Sequence, residues 1–210
     1  MKKLFTLILL LSLSLGAWAQ QFEKNILGIR GGINVAKEIA EVGSISQDTD
    51  TRIGFHLGIT DQILLSDRLP FYLEVGLGVS QLGGEGDGVV DRPLYIQIPV
   101  LVNYHFQLGQ GFGIQPFAGV YYGLGVTGKS EADGIKSDMF GGEGFMRRSD
   151  FGIRLGAGMT YNRFYFGLQY DFGCLNIVKD DIGNIFDQEF GFGKLKGRNR
   201  CFSISVGYNF

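Results

Sequence analysis

From about residue 26 onward, apolar side chains occupy every second position, in runs separated by polar, glycine-rich stretches. Alternation with period two marks a strand with one apolar face. Eight such runs are predicted. The first covers about 26–35, with Leu27, Ile29, Ile33 and Val35 on one face. The second covers 52–65, with Ile53, Phe55, Leu57, Ile59 and Ile63. In the third, 69–80, every odd position from Leu69 to Val79 is apolar. In the fourth, 93–106, every even position from Leu94 to Phe106 is apolar. The fifth, 112–126, carries Phe112, Ile114, Ala118, Val120, Tyr122 and Leu124. The sixth, 150–161, runs through Phe151, Ile153, Leu155, Ala157, Met159 and Tyr161. The seventh, 163–173, runs through Phe164, Phe166, Leu168, Tyr170 and Phe172. The eighth starts at Arg200 and closes on "SISVGYNF", where Phe202, Ile204, Val206, Tyr208 and Phe210 share a face. No run has helical spacing of useful length.

The connections alternate too. Those at 66–68, 107–111 and 162–163 are tight, while those at 36–51, 81–92, 127–149 and 174–199 are long. An even strand number with alternating short and long connections predicts an all-β fold: an eight-stranded antiparallel up-and-down transmembrane β-barrel, with short periplasmic turns and long outer loops. A soluble barrel also alternates, but with its apolar face inward. Lysine placement decides between them. Lys24, Lys37, Lys129, Lys136, Lys179, Lys194 and Lys196 all fall in the predicted loops or the lead-in, whereas a water-facing exterior would carry several. Aromatics instead mark both ends of the apolar face, as two girdles: Phe71, Tyr104, Phe106, Phe112, Tyr161, Phe164, Tyr208 and Phe210 at the short-turn rim, and Phe55, Tyr122, Phe151, Tyr170 and Phe202 at the other. The apolar face is therefore expected to meet lipid.

The first residues agree with that destination. Lys2 and Lys3 precede an apolar run from Leu4 to Leu15, and Ala17-Trp18-Ala19 fits a small-x-small cleavage site. Residues 1–19 read as a secretory signal peptide, leaving 20–210 as one barrel domain. The residue directly after the cleavage site is Gln20, not a cysteine, so no lipoprotein anchor is expected. Removing Lys2 and Lys3 lowers the Lys+Arg count from 19 to 17 against 21 acids, a net charge of −4, which argues against a nucleic-acid partner. Cys174 and Cys201 are placed on opposite faces of neighbouring strands, which would prevent a disulfide.

The fourth run, "LYIQIPVLVNYHF" (94–106), resembles the "Y-[IL]-[EQ]-[IL]-P-V-L" stretch of the PorT-like outer-membrane barrel family. Also similar, and in the family's order, are "LGIRGGIN" (27–34), "GFHLGIT" (54–60), "FYLEVGLGVSQLG" (71–83), "QPFAGVYYGLGVTGK" (115–129) and "NRCFSISVGYNF" (199–210). The resemblance implies an eight-stranded barrel in the outer membrane of a Gram-negative bacterium. Its namesake is required for type IX secretion, while most members have no assigned activity. Two readings stay open: an accessory or structural component of an export complex, and a surface adhesion or ligand-binding barrel. A lipid-modifying enzyme is a third, weaker one. Outer-membrane lipid and the barrel-assembly machinery are the expected partners, with export-complex or surface partners reached through the loops. Tyr208 and Phe210 resemble the terminal signal that this machinery reads.

The inward face carries Arg30, Arg52, His56, Glu74, Gln97, Asn103, Arg154, Gln169 and Asp171. An eight-stranded barrel is filled by its own side chains, and charges there must pair. Arg30 or Arg154 with Glu74 or Asp171 would do so, giving a polar plug rather than an ion path. A barrel esterase would need its nucleophile and base at the outer rim, facing lipid. His56 and His105, the two histidines, both fall inward, so no catalytic residue is expected. No cofactor or metal is expected either. Gly123 to Gly128 fits G-x-G-x-x-G but precedes no helix pattern. "GGEGDG" (83–88) reads as a turn at a loop tip, and Asp180, Asp181, Asp187 and Glu189 lack EF-hand spacing. Pro99 and Pro116 interrupt strands, and a bulge is expected at Pro99.

Overall fold

A computed structural model describes residues 23–42, 45–86, 88–142, 144–181, 184, 187 and 195–210. The predicted signal peptide lies outside the described residues, as do Lys194 and Glu189. Among the described residues no helix is long and apolar enough to cross a membrane. The described residues form twelve strands: β1 Asn25–Val42, β2 Ile45–Asp48, β3 Asp50–Leu64, β4 Phe71–Gln81, β5 Gly84–Gly86, β6 Val89–Tyr104, β7 Phe106–Gly109, β8 Phe112–Ala132, β9 Ile135–Asp138, β10 Ser149–Tyr161, β11 Phe164–Gly173 and β12 Leu195–Asn209. The pairing runs β1-β12-β11-β10-β8-β6-β4-β3, and β3 pairs back onto β1. Every neighbour in this ring is antiparallel. A closed ring leaves no edge whose amides would stand unpaired in hydrocarbon.

The four strands beyond the expected runs are short and lie where loops or turns were expected. β2 pairs antiparallel with the end of β1, β5 bridges β3 and β6, β7 follows β6, and β9 turns back on β8. The long connections are therefore partly β-ribbon. Four of the lysines placed in loops, Lys37, Lys129, Lys136 and Lys196, sit instead in strands. All four stand beyond the apolar band, and three of them pair with acids: Lys37 with Asp48, Lys129 with Asp138, and Lys136 with Glu131. A ribbon in water alternates with polar residues on both faces, so the apolar signal fades there although the backbone pairing continues.

The outward face is a continuous belt of exposed apolar side chains, among them Ile53, Leu57, Ile98, Leu155, Leu168 and Val206. A belt of this extent is foreign to water-soluble surfaces. Aromatics pair across strands at both ends of it. Phe71 faces Tyr104, Phe112 faces Tyr161 and Phe164 faces Tyr208 at the short-turn end, while Phe151 faces Tyr122 and Tyr170 faces Phe202 at the other. The Phe71 and Tyr104 rings stand edge-on at 4.8 Å. This is an all-β antiparallel membrane barrel.

The bulge expected at Pro99 is elsewhere. Register is the same on both sides of Pro99, whose ring packs against the backbone of Gly76: a Cβ there would lie 2.9 Å from Pro99 Cγ. The β4–β6 ladder simply stops between Val75↔Val100 and Gly78↔Gln97. Pro removes one donor without adding a residue, so the ladder skips rather than shifts. The register shift of β6 lies between Leu94 and Tyr95.

Candidate functional site

The lumen is packed with bonded polar side chains. Arg154 and Asp171 are cross-strand partners on β10 and β11. The Arg154 Nε donates to Asp171 Oδ1 and its Nη2 to Asp171 Oδ2, both at 2.7 Å. Its Nη2 also reaches Gln97 Oε1 at 2.9 Å. This is the two-pronged geometry that makes an arginine–carboxylate pair strong. The other expected pairs do not form. Arg30 donates to Asn209 Oδ1 at 2.7 Å and lies 3.8 Å above the Tyr165 ring centroid. Glu74 accepts instead from Gln62 Nε2 at 2.6 Å and Asn103 Nδ2 at 2.8 Å. Arg52 lies higher, half-buried, and donates to the Leu82 carbonyl at 3.0 Å. Arg30, His56, Glu74 and Arg154 line one interior cavity of about 70 Å³. It has room for only a few waters.

His56 sits in a chain that sequence reasoning missed. Asn34 Nδ2 donates to the carbonyls of Phe55 and Gln81, both at 3.0 Å. That fixes Asn34 Oδ1 as the acceptor for His56 Nδ1 at 2.8 Å. The imidazole therefore carries its proton on Nδ1, and Nε2 accepts from the Ser205 hydroxyl at 2.9 Å. Hydroxyl, imidazole and amide stand in the order of an acyl-transfer triad. Yet Ser205 is 5% exposed and Asn34 1% exposed, and all three residues line the small cavity. The three residues come from β12, β3 and β1, and no spacing in the sequence joins them.

The long-loop end of the lumen is closed by an apolar cap. Met139, Phe140, Met146 and Ile177, all from loop segments, pack with Ala36, Leu82, Tyr95 and Cys201 of the wall. Backbone bonds tie the segments together: Met146 N to Met139 O at 2.9 Å, and Arg147 N to Ile177 O at 2.7 Å. The G-x-G-x-x-G stretch finds its physical role here. A Cβ on Gly125 would lie 2.4 Å from the Phe140 ring, and one on Gly128 3.0 Å from it. The glycines are the seat of that ring. Beneath the cap, Asp150 is fully buried, accepting from Asn199 Nδ2 at 2.9 Å and Tyr121 OH at 3.3 Å. "GGEGDG" supplies β5 rather than a bare turn. Asp180 pairs with Arg147, and among the described residues no cluster fits a metal. Cys174 is exposed, Cys201 is buried and both are free.

At the opposite, short-turn mouth, a second cavity of about 280 Å³ is lined by Glu23, Tyr72, His105, Gln115, Asn162 and Arg163, with others. His105 stacks on Tyr72 at 4.1 Å between ring centroids. Tyr208 and Phe210 flank this rim on the lipid side, their rings 5.4 Å apart, and the Phe210 amide bonds to Leu27 O at 2.8 Å.

A family model described as outer membrane protein beta-barrel domain matches residues 5–210. Among solved structures, the chain is similar to Ail, the attachment invasion locus protein of Yersinia pestis, with 13% identity, 90% of this chain and 100% of that one covered, and a TM-score of 0.44. It is similar to the outer membrane protein OprG from Pseudomonas aeruginosa, with 16% identity, 91% and 99% covered, and a TM-score of 0.47. It is also similar to a major outer membrane protein from Thermus thermophilus, with 13% identity, 86% and 99% covered, and a TM-score of 0.49. No curated protein matches it.

Proposed function

The chain belongs to the outer membrane protein beta-barrel domain family and resides in the outer membrane of a Gram-negative bacterium, and from that premise we propose that it is a non-enzymatic, eight-stranded barrel of the PorT-like type that supports protein export. The eight strands of the closed ring are the membrane-spanning ones, and β2, β5 and β9 belong to the outer ribbon. The observation that carries this reading is the lumen: bonded side chains fill it, an apolar cap closes it, and the serine–histidine–asparagine chain opens onto space for only a few waters. A barrel without a path or a reachable nucleophile acts through its outer ribbon and loops.

Deletion of the gene tests this. Loss of exported proteins from the cell surface, restored by the wild type and by Ser205→Ala but not by a chain lacking the 133–138 hairpin, is the expected result. Normal export together with lost attachment to host or matrix surfaces would select the adhesion reading instead. Failure of Ser205→Ala to complement would return the enzyme reading.

A further inference from the structure

The short-turn mouth holds a cavity that neither the lumen plug nor the outer cap explains. Its floor is His105 and Gln115, 9% and 4% exposed. The His105 Nε2 and the Gln115 Oε1 are both shut from solvent and have no hydrogen-bond partner. Buried polar atoms are normally satisfied, and His105 and Gln115 both line this cavity, so the two unpaired atoms mark places for a ligand's donor and acceptor groups. The surroundings are built. The His105 ring is held by the Tyr72 stack, and the Tyr72 hydroxyl in turn holds the Glu23 carbonyl at 3.0 Å.

Two opposite charges line the same cavity. They are Glu23 and Arg163. Arg163 reaches the Asn209 carbonyl at 3.4 Å and forms no salt bridge among the described residues. A cavity of about 280 Å³ equals about nine waters at about 30 Å³ each. That is too small for a lipid or a folded partner and lies just under the usual range of ligand pockets.

We propose that this inner-mouth pocket binds a small zwitterion from the periplasmic side, a free amino acid or the end of a short peptide. Its ammonium lies towards Glu23, its carboxylate meets Arg163, and its remaining polar groups satisfy Gln115 and His105. The site is independent of any role in export.

The test uses the full barrel refolded in detergent, with glutamine and dialanine as probes in saturation-transfer difference NMR. A saturable signal from at least one probe, with a shift of the His105 Nε2 resonance, is the expected result. Stronger binding of glutamine points to a free solute, and stronger binding of dialanine to a peptide end. Arg163→Gln should weaken binding about tenfold, the loss of one charge-assisted hydrogen bond, while the heat-modifiable gel shift shows an intact fold. No saturable signal from either probe overturns the proposal. So does equal binding of N-acetylglutaminamide, which carries neither charge, or binding unchanged by both Arg163→Gln and Gln115→Met.

Discussion

At the scale of single residues, the lumen divides into groups held by geometry and groups held by charge. Arg154 and Asp171 are the charged pair, at 9% and 5% side-chain exposure. Removing one partner leaves the other charge buried and alone, which costs about 3–5 kcal/mol. Asp171→Leu should lower unfolding free energy in detergent by about that amount, whereas Arg154→Met with Asp171→Leu should cost clearly less. Urea titrations followed by gel shift would measure both, and equal losses would place the damage in packing rather than charge. The sequence showed that these residues face inward, because a strand's alternation states the face. It did not show the partners. Arg30 chose Asn209, and His56 chose Asn34 and Ser205, through registers between strands far apart in the chain. Neutral polar residues at inward positions were legible as lumen, but their bonding depends on closure of the ring.

At the scale of elements, periodicity located every strand of the ring and underestimated their outer ends. One signal would have extended them. Asp133 and Gly134, both at positive φ, form the two-residue turn that suits a hairpin, and they join β8 to β9. The cap was not legible, since Met139, Phe140, Met146 and Ile177 have no strand or helix period. The β1–β12 pairing carries a prediction of its own. Phe210 lies on the lipid side with 61% exposure, and its amide extends the bonding to Leu27 O. Phe210→Ala keeps that backbone bond and loses only the ring. We therefore expect refolded stability to change little, while steady-state levels in the outer membrane fall through slower insertion. Pulse-chase measurement of the heat-modifiable form would decide, and unchanged levels and rates would remove Phe210 from any assembly signal.

At the scale of the whole molecule, the barrel is closed at its outer end by apolar packing and along its length by bonded polar groups. Purified protein in planar bilayers should show no stable porin-sized conductance. A reproducible nanosiemens channel would mean that the cap opens and the polar plug rearranges in the membrane. Cap truncation gives the sharper comparison. Phe140→Ala removes the ring seated on Gly125 and Gly128, a burial of roughly 1.5–3 kcal/mol. It should raise proteolysis of the 139–147 segment while leaving the membrane-embedded wall protected.

The interrupted ladder at Pro99 has a consequence under mechanical load. The β1–β12 seam runs unbroken from Gly28↔Asn209 to Val42↔Leu195, although it joins the two ends of the ring. The β4–β6 ladder has a break at mid-height, where Pro99 offers no amide and Gly76 no side chain. A hoop with that construction tears beside Pro99 before it tears at its weld. Pulled strand by strand in a force-spectroscopy experiment, the barrel should part β4 from β6 at lower force than β1 from β12. Pro99→Ala, by restoring the missing donor, should raise the force of that one step and leave the others where they are.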